Sequence, residues 1–365
     1  MPIFVYAVVF TIFFASFRIN KNENVLDKQS SNSIKGLFII LIVLVHTVGR
    51  WGWFPYKGTM VDELRAFHSI VGQLVVAPFF FVSGYGIICS IENKNNGEQY
   101  RKTIVTNKFL RIIIYSIICL IPYFIYCACL KQEHLVSDYF LAPIGLASFG
   151  NENWFIFAIL ICYFLSAIVY FINWKKRWIP LVIMFVLIAV YITIQGIWNT
   201  SNSHEYDTII CFPLGMLIAT YRQPIFRLLK NRIIAVLVLA ISLSLIIVLR
   251  WLTEYRGAPY LALMIICDAL LCIMFTALTR IFTIQSKVLN YCSTCSFGIF
   301  FMHRLSLQFY KQVWRPENDN FNYFIVIVTA FALGFMFHYI CKYSGKLLVD
   351  PFVKINYKIV DQKDK

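Results

Sequence analysis

His46 ends the apolar stretch from Leu37 to Val45, and Lys35 stands 11 residues before it. In a helix that offset is close to three turns, so the two side chains share a face about 16 Å apart along the axis. A lysine at the start of such a helix can meet an anion in the aqueous phase. A histidine well inside it can take a proton from a hydroxyl. A topological anchor at Lys35 and an interfacial residue at His46 would give the same pattern, and spacing alone leaves both readings open. A second basic pair, Lys108-x-x-Arg111, has i,i+3 spacing, which sets two cations on one helical face where they can grip one phosphate group. Charge that only fixes topology would look no different.

The remaining polar groups at depth are few, and each is costly enough in a membrane to need a partner. His303 and Arg304 are adjacent, and successive helical residues diverge by about 100°, so they cannot face one spot equally. Asp268 is the only carboxylate deep in an apolar run. It can orient His46 or His303, pair with Arg304, or act as an interhelical latch. Asn151, Glu152 and Asn153 stand at the start of an apolar run, where a sugar could hydrogen-bond or where free helix N–H groups could be capped. Pro78 to Gly86 carries Ser83, Gly84, Tyr85 and Gly86. Glycines in that setting mark close helix packing or irregular backbone beside a cavity. Val82-Ser83-Gly84-Tyr85-Gly86 is no nucleophile elbow, because the leading glycine and the strand–turn–helix setting are missing. The 11 cysteines lie in or beside apolar runs and read as small hydrophobes. Cys292-x-x-Cys295 has redox spacing without a βαβ context or a second pair, so no metal site is expected.

The elements that position these residues follow from composition. The chain is 59% hydrophobic and 14% charged, where a soluble domain is roughly 25% charged. Apolar runs fall at 2–18, 34–49, 67–91, 109–130, 149–173, 178–198, 206–221, 233–251, 259–280, 291–312 and 321–341. The fold class is all-α, a polytopic transmembrane helix bundle of about 11 helices. The first run lacks the positive flank and cleavage site of a signal peptide and reads as a helix starting outside. With that start, segments 18–35, 92–111, 174–177, 222–232, 280–287 and 342–365 are cytoplasmic and hold 24 of the 33 Lys and Arg residues. The positive-inside rule then sets the N-terminus outside and the C-terminus inside. The net charge of +15 sits in these short gaps, so it reads as orientation signal and contact with the lipid bilayer rather than with nucleic acid.

Taken in order, the motifs resemble those of the acyltransferase 3 family of integral-membrane acyltransferases, which modify bacterial surface glycans and related acceptors. Lys35-x10-His46 is similar to that family's Arg-x10-His motif, and Lys108-x-x-Arg111 to its Arg-x-x-Arg motif. Pro78 to Gly86 is similar to its Phe-Phe-x-x-Ser-Gly segment, Asn153-Trp154-Phe155 to its Leu-Trp-Phe stretch, and Phe297 to His303 to its late segment ending in His. Lysine replaces arginine at both basic first positions, which keeps charge but loses the bidentate fork. A helix at 2–18 also precedes the family's ten.

The resemblance implies an extra N-terminal helix over 1–19, an acyltransferase domain over 33–345 and a basic cytoplasmic tail over 346–365. It implies an O-acyltransferase of the bacterial cytoplasmic membrane, with acetyl-CoA as donor and a cell-surface or lipid-linked glycan as acceptor. Lys35, Lys108 and Arg111 would hold the donor's phosphates. His46 would be the general base or form a transient acyl-His. Ser83, Tyr85, Glu152, Asn153, Trp154, Asp268, His303 and Arg304 would bind substrate or support the site. The rival classes are a transporter or flippase, or a polymerase, of lipid-linked glycans. The first calls for an internal repeat and the second for a large outer loop, and neither feature is evident in the sequence.

Overall fold

A computed structural model describes residues 2–20, 25–49, 71–93, 97–198, 205–255, 260–314 and 319–355. Residues 50–66 of the expected outer segment, His68, Asn202, His204 and the last ten residues of the basic tail lie outside these ranges.

Helix α1 (Pro2–Ala15) leads into strand β1 (Phe17–Ile19) and then into α2 (Lys28–Gly49). The sequence pattern starts the second helix at 34; the structure starts it at Lys28. The reason is local, because Asp27 Oδ1 accepts from the backbone N–H groups of Gln29 and Ser30 at 2.8 and 2.9 Å and so caps an earlier turn. Every apolar side chain from Ile34 to Leu44 is buried. A helix that is apolar on all sides belongs in a core, and α2 is the central helix of the bundle.

Next come a 3₁₀ turn (Gly72–Val75) and α3 (Ala77–Ile91), then the short α4 (Gly97–Lys102). A π-helical turn (Val105–Leu110) opens α5 (Arg111–Cys129). Helices α6 (Val136–Leu141), α7 (Asn153–Phe171) and α8 (Trp178–Trp198) follow. Then come α9 (Cys211–Thr220), α10 (Arg222–Leu229), α11 (Arg232–Tyr255) and α12 (Tyr260–Ile281). Strand β2 (Phe282–Ile284), α13 (Lys287–Thr294), α14 (Ser296–Gln312) and α15 (Asp319–Leu348) complete the chain. Helices α3 and α9 pack backbone to backbone at Gly84 and Gly215. A Cβ on Gly84 would lie 2.0 Å from Phe212 O, and one on Gly215 would lie 2.0 Å from Phe81 O. Close packing is therefore what Gly84 serves.

Each of the eleven apolar runs contains a helix. Among the described residues, eight helices are long and apolar enough to cross a bilayer, or nine if the bent pair α9–α10, which meets at 81°, is one span. Helices α1 (14 residues) and α14 (17 residues) are shorter. The predicted run 291–312 is two helices, because the backbone breaks at Cys295, with φ −89° and ψ 5°. Thr294 Oγ1 donates to Asn290 O just before the break, a local bond that competes with helix continuation. The all-helical expectation also misses one feature, the antiparallel pairing of β1 with β2.

That pairing helps gather the basic segments at one end of the bundle. Arg232 Nη2 donates to Asn20 O at 3.3 Å and Arg280 Nη2 to Lys230 O at 3.0 Å. Arg177 and Arg222 meet Glu92 at 3.5 and 3.0 Å, and Arg111 Nη2 meets Asp350 Oδ1 at 2.7 Å. At the opposite end, Tyr126 Oη donates to Gln312 Oε1 and Gln308 Nε2 to Gly150 O. Large apolar side chains stay exposed along α8 (Val182, Val186, Val190) and α11 (Leu237, Ile241, Ile247). Stripes of that kind suit contact with lipid.

Candidate active site

His46 sits one turn from the C-terminal end of α2, partly exposed (side chain 24%), with Nδ1 3.6 Å from Glu152 Oε1. Glu152 is the N-cap residue of α7, but its carboxylate makes no capping bond. It turns instead toward His46 and toward Arg304, whose Nε lies 3.0 Å from the same oxygen. The turn that delivers it contains Gly150 at φ +88°, a conformation that glycine adopts without strain. The glutamate is only 9% exposed and the arginine 13%, so the ion pair is largely withdrawn from water, while the helix N-terminus also favours a carboxylate there.

His303 lies on α14 with its ring centroid 5.1 Å from that of His46. It is fully buried, and its Nδ1 is 2.6 Å from Phe300 O. A carbonyl only accepts, so the proton sits on Nδ1 and Nε2 carries a lone pair. Nε2 has no hydrogen-bond partner among the described residues. Adjacent positions on one helix thus contribute differently, Arg304 to the carboxylate and His303 to the second imidazole.

A cavity of about 230 Å³ opens onto this cluster, lined by His46, Glu152, Trp154, Gln73, Val76 and Phe300 among others. Gln73, on the 3₁₀ turn, was not among the sequence candidates. Its Oε1 is buried without a partner among the described residues, and a glutamine inside the apolar run 67–91 was the available signal. A smaller apolar cavity of about 80 Å³, lined by Ile39, Ile42, Phe79 and Phe297 among others, continues the first along α2 toward Lys35.

At the basic end, Lys35 lies within electrostatic reach of Lys108 and Lys28, and Lys108 of Arg111. The three predicted cations are therefore together, with Lys28 as a fourth. Lys108 rides the π-helical turn, an irregularity often found at functional sites and invisible to i,i+3 arithmetic. Arg111 is engaged by Asp350 and, at 3.4 Å, by Tyr115 Oη.

Four candidates sit elsewhere. Ser83 bonds the Tyr163 hydroxyl, and Tyr85 bonds Cys89. Asn153 Nδ2 donates to Gly145 O at 2.9 Å and ties down the loop before α7. Asp268 has Asp207 and Arg250 as its charged neighbours, an arrangement that fits the interhelical latch among the alternatives offered for it. Glu152, which the sequence places at a helix end, reaches into the bundle because the cap position turns its side chain inward. Among the described residues no group of three or more His, Cys, Asp or Glu could hold a metal ion.

The family model described as an acyltransferase domain, Acyl_transf_3, matches residues 28–341. The chain belongs to the acyltransferase 3 family. No curated protein and no solved structure matches it. Membership makes the chain a membrane acyltransferase in general terms, and the matched range contains the whole His46 cluster together with Lys35, Lys108 and Arg111.

Proposed function

We propose that this acyltransferase moves an acyl group, acetyl in the simplest case, from a cytosolic acyl-CoA to a hydroxyl of a surface or lipid-linked glycan. The catalytic unit is residues 33–345, with α1 and the basic tail as additions, and the basic end of the bundle faces the cytoplasm of a bacterial cell. The observation that carries this reading is the meeting of His46 and Glu152 at one cavity, with Arg304 against the carboxylate and His303 against the imidazole behind them.

The donor's phosphates bind among Lys28, Lys35, Lys108 and Arg111. Its pantetheine arm follows the apolar cavity along α2, which brings the thioester to His46. Glu152 faces Nδ1 of His46, so the proton rests on Nδ1 and Nε2 is the basic nitrogen, the logic of a carboxylate-oriented imidazole. The separation of 3.6 Å is an ion-pair distance rather than a hydrogen bond, and catalytic contacts commonly tighten when substrate binds. Nε2 takes the proton of the acceptor hydroxyl as its oxygen attacks the thioester carbonyl carbon. The C–S bond then breaks, and the leaving thiolate takes the proton from His46, so atoms and charge balance. Arg304 holds the Glu152 carboxylate in place, and Gln73 offers a polar atom to the acceptor.

The test is incubation of membranes containing the protein with radiolabelled acetyl-CoA, followed by mild base. Label released from the glycan fraction supports ester formation. Glycan that crosses the membrane without acquiring label would indicate a transporter instead.

A further inference from the structure

Two cavities at the basic end of the bundle meet at Arg101, away from His46. One, of about 200 Å³, is mixed, with Arg101, Arg177, Glu92, Tyr170 and Trp174 beside Ile88, Ile91 and Pro180 in its walls. The other, of about 470 Å³, is bounded by α7 and by the chain entering the π-helical turn, and its walls are apolar except for Arg101 and Lys102. Phe164, Ile168 and Phe171 form its outer rim and are 47%, 53% and 65% exposed. Arg101 and Ile172 belong to both cavities. A charged chamber at the basic end thus adjoins an apolar groove that runs about 10 Å down α7 between residues 171 and 164.

The charges do not cancel. Glu98 meets Arg101 and Lys102 at 3.3 and 3.6 Å, and Glu92 meets Arg177 and Arg222 at 3.5 and 3.0 Å. Leaving Lys102 aside, three arginines (Arg101, Arg177 and Arg222) face two carboxylates among the described residues, an excess of one. The Arg101 side chain is only 10% exposed, and its Nε has no hydrogen-bond partner among the described residues. The Tyr170 hydroxyl, in a residue 8% exposed, is also without one. Buried polar atoms are normally satisfied, and these two belong to residues that line the same cationic chamber, which points to an acceptor supplied from there.

We infer that this is a binding site for one anionic glycerophospholipid of the leaflet at the basic end. The phosphate accepts from Arg101 and Tyr170, and an acyl chain lies along the α7 groove. A soluble phosphate would satisfy the chamber but leave the groove empty. A zwitterionic lipid would fill the groove but add no net charge to the chamber. Basic pockets between helices on the cytoplasmic side are the usual place for such headgroups. Ile104 and Val105 form part of the groove wall, so the bound lipid braces the turn that carries Lys108. The site does not depend on the acyl-transfer reading.

The experiment uses the full-length protein in phosphatidylcholine nanodiscs with phosphatidylglycerol added, and reads the retained lipid by native mass spectrometry. Wild type should retain phosphatidylglycerol over phosphatidylcholine. Arg101→Gln should weaken that retention about fivefold, the effect of one near-surface cation. Ala167→Trp, which fills the groove from a half-buried position in its wall, should weaken it as well with the fold intact. Free glycerol phosphate should compete poorly. Competition as strong as that of the lipid would make this a small-anion site and overturn the proposal. So would equal retention of the two lipids, or retention unchanged in both variants. The readout is bound lipid rather than activity, so its failure is separate from any failure of the acyltransferase chemistry.

Discussion

The His46–Glu152–Arg304–His303 cluster and the Asp207–Arg250–Asp268 cluster both place charge inside the helix bundle, yet only the first opens onto a described cavity. Asp207, Asp268 and Arg250 are 0%, 0% and 3% exposed, and Arg250 Nη1 contacts Met264 Sδ. His46 is 24% exposed at a cavity of about 230 Å³. Membrane depth alone marks both clusters as candidates. What separates them is access: a substrate can reach an imidazole beside a cavity, whereas side chains as deeply buried as these suit the joining of helices.

The largest expected effect breaks this comparison if it fails. His46→Ala should lower kcat by about 10²–10⁴-fold, the usual worth of a general base, with donor KM nearly unchanged. His46→Gln should not rescue it, since an amide cannot accept the hydroxyl proton and pass it on. Glycan ester formation in membranes at matched protein levels is the measurement. A near-wild-type His46→Ala beside an inactive His303→Ala would transfer the chemistry to the free Nε2 of His303. Glu152→Gln should cost less, on the order of 10–100-fold in kcat, as for other carboxylates that orient a functional imidazole. It removes the charge facing both His46 and Arg304, so a fall in donor affinity without loss of kcat would show that Glu152 acts elsewhere.

Much of this was legible in the sequence, and the part that was not has a physical cause. Apolar run length locates helices well, because the bilayer demands it, and Lys35-x10-His46 survives as one continuous helix. Side-chain partnership across helices has no such local signature. Asp268, the one carboxylate in mid-span, could be read equally as a partner for His46, His303 or Arg304 or as a latch between helices. The partner in the structure is Glu152, reached through a glycine turn and a cap position that points inward. The π-helical turn under Lys108 and the break at Cys295 were likewise hidden, since each depends on local backbone geometry rather than on hydropathy.

The sealed cluster supplies the complementary prediction. Asp268→Asn keeps the shape and replaces one buried carboxyl by an amide, so activity per folded protein should stay within about twofold. Thermal stability should shift by about 1–3 kcal/mol, as buried polar networks respond when one member changes. Comparing melting temperature with turnover in the same detergent preparation separates the two. A large kcat loss at unchanged stability would connect Asp268 to the His46 cavity and end the contrast drawn above.

At the basic end, binding rather than chemistry is at stake. Lys35, Lys108 and Arg111 lie together, and Arg111 is already engaged by Asp350 at 2.7 Å. The two lysines are therefore the cations most available to a donor phosphate. Removing one charge-assisted contact costs about 1.5–3 kcal/mol in a sheltered site, or roughly 10–150-fold in affinity. These lysines are half-buried and surrounded by like charge, so the lower end applies, and Lys108→Ala should raise donor KM by about tenfold with kcat preserved. Lys108→Arg keeps the charge and adds a planar fork, so KM should stay at or below the wild-type value. Steady-state kinetics with acetyl-CoA varied at fixed acceptor distinguishes these outcomes. A KM unchanged by Lys108→Ala would leave the basic cluster as a topological anchor. Loss of kcat in Lys108→Arg would mean that the π-helical turn tolerates only the slimmer ammonium, and that its geometry, more than its charge, seats the donor.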